Sequence, residues 1–547
     1  MTTLSQAPLQ RGEESNKTAP KPPKAAVATW IVPLIFILIT MFGVWWIDIR
    51  PTAVVAGFSD ISRLLARMLP AEVGPIGVLA TLIGETLLIA IAGTGAAALA
   101  SIPLAAVASR HYTGSRLIQS GARLLIMITR AIPTLVFAII FVRIFGLGPF
   151  AGALAVAVHS IGMIAKMMTD TFEELSVRPR EAIAATGANR LQTFISTTFT
   201  QALPQISSFV LYRLDINIRA SAILGLVGAG GIGAALQTAI GSLNYPRAAG
   251  IIAVIIVLLL LLEFISYGVQ KAFVEHSVDS TKAQLYPHGK VAISPGWSVS
   301  RVGKVLALSI TVLIFCAALF RVHPAWDRLA DAWSNTIVML SGFIPPTFDL
   351  DIAYGLLESL VMAISATTFG VIIGLAIALL STPHLFHIPV LSGILRALIV
   401  IIRGIPEIVY ALIFVAALGL GPFPGFLALT ISCTALGAKF FTDALNNIDP
   451  TPVRALREIG ANQVQAFIGG AWPQFVPSFI GNSLFTSDLA LRESAVLGIV
   501  GAGGIGFLMQ ESVATLNYQT TAGILIGLTI LVVALEQLAR WARKKII

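Results

Sequence analysis

The stretch from about Glu85 to about Phe273 returns, displaced by 273 positions, from Glu358 to about Trp541. Arg130-Ala-Ile-Pro133 matches Arg403-Gly-Ile-Pro406, and Gly146-Leu-Gly-Pro-Phe150 matches Gly419-Leu-Gly-Pro-Phe423. Lys166 and Asp170 match Lys439 and Asp443, and Gly228-Ala-Gly-Gly-Ile-Gly233 matches Gly501-Ala-Gly-Gly-Ile-Gly506. The register does not slip between the first block and the last. The chain therefore folds as two superimposable halves, and a protein built this way works on the axis between them.

Hydrophobic residues fill 56% of the 547 positions and charged ones only 12%, too few to cover a water-soluble surface. This is an all-α integral membrane protein. Runs long enough to span lie near 29–47, 77–108, 118–144, 150–168, 194–218 and 248–270. They recur near 304–320, 352–380, 391–418, 423–441, 467–491 and 520–540, about twelve transmembrane helices in all. Six per half is even, so the repeats are parallel, related by an axis along the membrane normal. The organisation expected is a polar, disordered tail over 1–28, a first half over 29–273, a cytoplasmic linker over 274–302 and a second half over 303–547.

Lys and Arg gather on one side if both termini are cytoplasmic: in the tail, at Arg110 and Arg116, at Arg178, Arg180 and Arg190, after the sixth span, and at the C-terminus. The loops assigned outside, 48–76 and 321–351, carry mixed signs. These basic loops account for the net charge of +9, and their scatter gives no face for nucleic acid. Cys316 and Cys433 sit in apolar spans, without disulfide or metal spacing.

The most polar internal segment runs from Ser176 to Pro204, with Glu181-Ala182, Gly187-Ala188-Asn189 and Gln192. Its copy carries Arg454-Ala455, Glu458, Gly460-Ala461-Asn462 and Gln465. Pro179 and Pro452 are placed to begin a short helix, and Gly187 and Gly460 to stop it. The Glu-Ala-x-x-x-x-Gly-Ala pattern resembles the coupling segment, the EAA loop, of the permease subunits of ABC importers. In that family the segment docks in a cleft of a cytoplasmic ATPase. The second copy departs from it, with Arg454 where Glu181 stands and Glu458 as the nearest acid, so the two docking surfaces are expected to differ.

Leu224 to Gly233 contains Gly-x-Gly-x-x-Gly, but a dinucleotide site needs a strand before it and a helix after it in a soluble unit, and these glycines lie between two spans. Two readings stay open here, close helix packing through small residues and a broken backbone lining a cavity. The positions concerned are Gly228, Gly230, Gly231, Gly501, Gly503 and Gly504. Just before them stand Asp215 and Arg219, matched by Asp488 and Arg492. A charge at bilayer centre costs roughly 2.5–3.5 kcal/mol on insertion scales, so each must meet a partner, a cavity or water. The spacing of four permits an internal ion pair or a role in the gate or path. Arg130 and Arg403, each ahead of a helix-breaking proline in an apolar run, are placed to point at the axis and to favour an anion.

The run from Arg219 to Gly233, and its copy from Arg492 to Gly506, resembles the phosphonate permease branch of the ABC importers. The resemblance covers about 80–273 and 353–541 and implies a fused pair of permease halves with the type I importer fold. It implies a bacterial inner membrane location, two copies of a cytoplasmic ATPase, an extracytoplasmic solute-binding protein and a small anionic solute: phosphonate, phosphate or phosphite. Glycine betaine permeases carry a similar glycine string, so a zwitterion is a second possible solute. No Gly-x-x-x-x-Gly-Lys-Ser/Thr run occurs in the chain, so ATP and Mg are expected on the partner subunits and no covalent chemistry on this one. An ion-gradient-driven secondary transporter would share the span count and the parallel repeats. The two docking segments argue against it.

Overall fold

The computed structural model describes residues 27–48, 51–112, 115–279, 299–324, 326–382 and 389–546. The expected tail, up to residue 26, and most of the linker, 280–298, lie outside the described residues. All twelve expected segments are helical. Among the described residues six helices are long and apolar enough to cross a membrane unaided, and nine if each bent pair counts as one span. Two shorter apolar helices, Leu34–Trp46 and Ser309–Arg321, add to these. In the second half the helix Trp472–Gly498, the counterpart of the longer arm of the bent pair Arg190–Val227 and Ile232–Gly241, carries Asp488, Arg492 and Glu493 within its length.

Two expected spans are not continuous. The run 118–144 divides into Arg116–Ala131 and Thr134–Phe145, which meet at 94°, and 391–418 divides at Pro406 with a bend of 80°. Proline removes an N–H and clashes with the preceding turn, so each run turns a corner where a mild kink would have kept it one rod. The loops assigned outside also differ from expectation, since they contain the helices Pro51–Arg67 and Trp326–Gly342.

Each half is organised around two helices in long, close contact: Ile76–Ala108 with Pro149–Glu174, and Leu350–Ser381 with Pro422–Asn446. Small residues let the backbones approach. A Cβ on Gly93 would come within 2.6 Å of Val156 Cγ1, and one on Gly370 within 2.5 Å of Cys433 Cβ. In lipid, where apolar burial gives no preference for one helix over an acyl chain, this fit is what holds helices together. The outward faces carry exposed Leu117, Leu313, Phe320, Ile372 and Ile530, as a lipid-facing surface requires.

The halves exchange their first helices. Val27–Trp46 packs on Leu350–Ser381, where Thr40 Oγ1 donates to Thr368 Oγ1 at 2.9 Å, and Val299–Arg321 packs on Ile76–Ala108. Pro51–Arg67 likewise rests on Glu407–Leu418, and Trp326–Gly342 on Thr134–Phe145. The sequence units are therefore not the spatial units: each half's opening segment is clasped by the other.

Candidate functional site

The polar segment folds twice in the same way. Arg178–Ala185 and Thr451–Glu458 are eight-residue helices with proline in the first turn and no buried residue. Each stops at its glycine: Gly187 has φ +86°, with its N–H donating to Ala184 O at 3.0 Å, and Gly460 has φ +94°, donating to Arg457 O at 3.0 Å. Left-handed backbone at this place is the ordinary way to end a helix, and glycine adopts it without strain. The next helix opens on Asn189 or Asn462, each in a reciprocal capping box with Gln192 or Gln465. A π-helical turn, Phe194–Phe199 or Phe467–Ala471, then leads into a long helix.

Glu181, Ala182, Gly187, Arg454, Ala455, Glu458 and Gly460 are exposed, and Ala188 and Ala461 are half-buried. Both segments thus stand clear of the bundle. In the first half Arg180 anchors the segment, donating to His111 O at 2.9 Å and lying over the Tyr112 ring. That contact puts the basic 109–112 turn at the same end as the segment. In the second half, where Val453 occupies the Arg180 position, Gln474 takes over, bonding Asp449 N and Asp449 O.

Asp449 is fully exposed, and its Oδ1 accepts the Thr451 N–H at 2.9 Å. The Thr451 backbone and hydroxyl, and then the charge of Arg454, hold its carboxyl below the usual aspartate range. A depressed pKa contributes stability above the unfolded value and loses it as pH falls through the folded value. We expect amide protection at the start of Thr451–Glu458 to be constant from neutral pH down and to drop only under acid, below about pH 4, in hydrogen exchange. Asp449→Ala should show the unprotected level at every pH. The first half, with Ser176 at this position, should not share the transition.

The glycine strings are breaks in the backbone, and they are tightly packed as well. The first helix ends at Leu224, and a 3-10 turn leads to Gly228, Gly230 and Gly231 at φ +87°, +81° and +74°; a new helix starts at Ile232. The second string repeats this through Gly501, Gly503 and Gly504 at +85°, +78° and +76°, restarting at Ile505. Gly148 N donates to Gly228 O, and Gly421 N to Gly501 O, both at 3.0 Å. The two open readings therefore hold together.

The residues that hold these breaks went unassigned in the sequence. Gly231 N donates to Glu85 Oε2 at 3.1 Å and Ile232 N to Thr86 Oγ1 at 2.9 Å. Gly504 N donates to Glu358 Oε1 at 3.0 Å and Ile505 N to Ser359 Oγ at 2.8 Å. The restarted helices are capped from a neighbouring helix, which satisfies N–H groups a broken helix leaves orphaned in lipid. The recurrence of an acid followed by a hydroxyl, at the place where the repeat begins, was the available signal. Glu358→Ala or Ser359→Ala should each lower stability by about 0.5–2 kcal/mol, read as a lower thermal midpoint in detergent.

The charges that precede the glycines form internal pairs: Arg219 with Asp215 at 2.7 Å and Arg492 with Asp488 at 2.6 Å. Among the described residues Asp488 Oδ1 and Arg492 Nε have no hydrogen-bond partner. Arg130 lies 3.7 Å from Glu536 of the opposite half, at the corner of its bent pair, and Arg403 occupies the equivalent corner. Lys166 pairs with Asp170, and Lys439 with Asp443, near mid-exposure.

Between the halves lies a cavity of about 670 Å³ whose polar lining is Arg143, Gln237, Arg328, Asp331, Asn335 and Gln510. Gln237 and Gln510 are equivalent in the two repeats. Arg143 Nη2 ties the halves by donating to Val513 O at 3.0 Å and Ala514 O at 3.2 Å, capping the end of Ile505–Ala514. The cavity sits by the Gly146 turn, at one end of the 26-residue Pro149–Glu174 helix, and the polar segment with its projecting helix leaves the other end, roughly 39 Å away at 1.5 Å per residue.

Two clasped, parallel helical halves, each with a projecting helix at one end and a capped backbone break beside the shared interface, define a multi-pass membrane transport permease. The chain belongs to the family of binding-protein-dependent transport system inner membrane components, whose model matches twice, over 101–276 and 370–546. It is 36% identical to the phosphate-import permease protein PhnE of Mycolicibacterium smegmatis, over 93% of each chain. It is 34% identical to the phosphite transport system permease protein PtxC of Stutzerimonas stutzeri, over 35% of this chain and 69% of that one. The glycine betaine/proline betaine permease ProW of Salmonella typhimurium matches at 22% over 45% of this chain and 59% of its own length. The chain is thus a multi-pass inner-membrane permease of the ABC importers, made as a tandem of two family domains.

Proposed function

We propose that this chain is the complete membrane pathway of an ATP-driven importer for a phosphorus oxyanion, one of phosphate, phosphite or phosphonate. The observation that carries the reading is the match to a phosphate-import permease along nearly the whole of both chains. Two projecting helices per chain give seats for two copies of a cytoplasmic ATPase, which would hold the ATP and Mg. The family's dependence on a binding protein supplies capture of the solute outside.

On this reading both termini are cytoplasmic, and Glu181, Ala182, Gly187 and Ala188 with Arg454, Ala455, Glu458, Gly460 and Ala461 form the two seats. The seats differ in charge, with Arg178, Arg180 and Glu181 on one and Asp449, Arg454, Arg457 and Glu458 on the other. On the same reading Arg130, Arg403 and the Asp215–Arg219 and Asp488–Arg492 pairs belong to the path or gate, together with the glycine breaks. ATP closure of the partners would draw the seats together and tilt the halves about the axis, opening the 670 Å³ cavity to the loaded binding protein. Hydrolysis would reset it.

The test is uptake of labelled phosphate and phosphite by cells or proteoliposomes containing the assembled transporter. Uptake is expected to stop when ATP is depleted and to persist when the proton gradient is collapsed. The opposite pattern would leave an ion-gradient transporter in its place.

A further inference from the structure

Arg213 is 6% exposed and stands near the middle of the Thr200–Leu224 helix. The arginines Arg130, Arg219 and Arg492 each have a carboxylate. Among the described residues Arg213 makes no ion pair; its one hydrogen bond runs from Nε to Ser160 Oγ at 3.1 Å. A guanidinium held inside a membrane without an acid is retained for use.

Its mounting is built for it. Asn217, fully buried one turn along, donates through Nδ2 to Ser160 Oγ at 2.9 Å and to Thr94 Oγ1 at 2.8 Å, and Ser160 Oγ donates to Asn217 Oδ1 at 3.1 Å. Three helices thus fix the one serine that orients Arg213. Beside it His159 Nδ1 bonds Ile132 O at 2.9 Å, the carbonyl at the corner of the bent pair. Arg492 of the other half lies within electrostatic reach of both Arg213 and His159.

The duplication supplies an internal comparison. The second half has Thr486, Cys433, Ala490 and Ser432 where the first has Arg213, Ser160, Asn217 and His159. The same scaffold packs without the network, so the fold does not need it.

We propose that Arg213, oriented by Ser160 and Asn217, is an intramembrane contact for the tetrahedral oxyanion in transit, contributed by the first half alone. With Nε fixed on Ser160, the two Nη groups remain to present the paired donors that suit a phosphate oxygen pair. This rests on the importer reading given above.

The experiment measures labelled phosphate moved per ATP hydrolysed by the full transporter in proteoliposomes, together with the thermal midpoint of the purified assembly. Arg213→Thr, which installs the second half's own residue, is expected to lower phosphate moved per ATP about tenfold or more without lowering the midpoint. Arg213→Lys, which keeps the charge, should recover a large part of it. An Arg213→Thr protein that moves phosphate as the parent does overturns the proposal. So does a fall in midpoint with no advantage for lysine, the mark of a packing role. Loss of ATP-driven uptake in the unaltered transporter would instead sink the importer reading, independently of the variants.

Discussion

Gly187→Val and Gly460→Val are expected to uncouple ATP hydrolysis from transport in an otherwise folded protein. A Cβ at either position meets nothing within 4 Å, so no collision blocks the substitution. The penalty lies in the backbone, since φ is +86° at Gly187 and +94° at Gly460 and a β-branched residue there costs about 1–2 kcal/mol. The surrounding turn is exposed, so the strain is relieved by moving the projecting helix, and the spans do not yield. A displaced seat transmits the partner's closure poorly, and solute moved per ATP should fall roughly tenfold, the change that 1.4 kcal/mol of misplacement produces. Gly187→Asn is the control. Asparagine tolerates this region, and coupling should survive in it. Equal coupling in the valine and asparagine variants would remove the seats from the mechanism.

The second large effect falls on stability. Gly506→Ala would place a Cβ 1.9 Å from Ala495 O and 2.9 Å from Ile499 N, backbone atoms at the end of the preceding helix and just beyond it that cannot swing aside. Its equivalent, Gly233, would meet Ala222 O at 2.5 Å. One methyl group must therefore part the two sides of the break, at a cost on the order of 3 kcal/mol, and take the caps from Glu358 and Ser359 out of line. We expect Gly506→Ala to yield little folded protein by fluorescence-detected gel filtration, with Gly233→Ala milder. Gly241→Ala, at the last residue of the Ile232–Gly241 helix with open space around the new Cβ, should be neutral or gain about 0.5–1 kcal/mol. The contrast separates glycines the packing demands from one it does not.

Much of this architecture was readable from residues. The duplication announced two like halves, hydrophobic runs located helices at all twelve expected segments, and the proline and glycine positions marked where the projecting helices begin and end. The Asp215–Arg219 and Asp488–Arg492 pairs were legible as one of two readings, because a spacing of four puts side chains on one helical face. Periodicity could not tell that Pro133 and Pro406 turn corners of 94° and 80°, because the angle depends on what each half-helix packs against. Nor could it show the helices Pro51–Arg67 and Trp326–Gly342 in the loops expected outside, each of which rests on the opposite half.

The sequence by itself determined that the chain spans the membrane, that it does so twice over in the same orientation, and that each copy carries a polar helix-turn element. These follow from composition, spacing and local backbone preference, which act within a few residues of one another. Only the tertiary structure decided that the first helices are exchanged, that Glu85 and Glu358 cap helices 146 residues away, and that Arg213 has no acid partner among the described residues. Those contacts join distant segments, and close packing in a medium with no hydrophobic drive selects among them by fit.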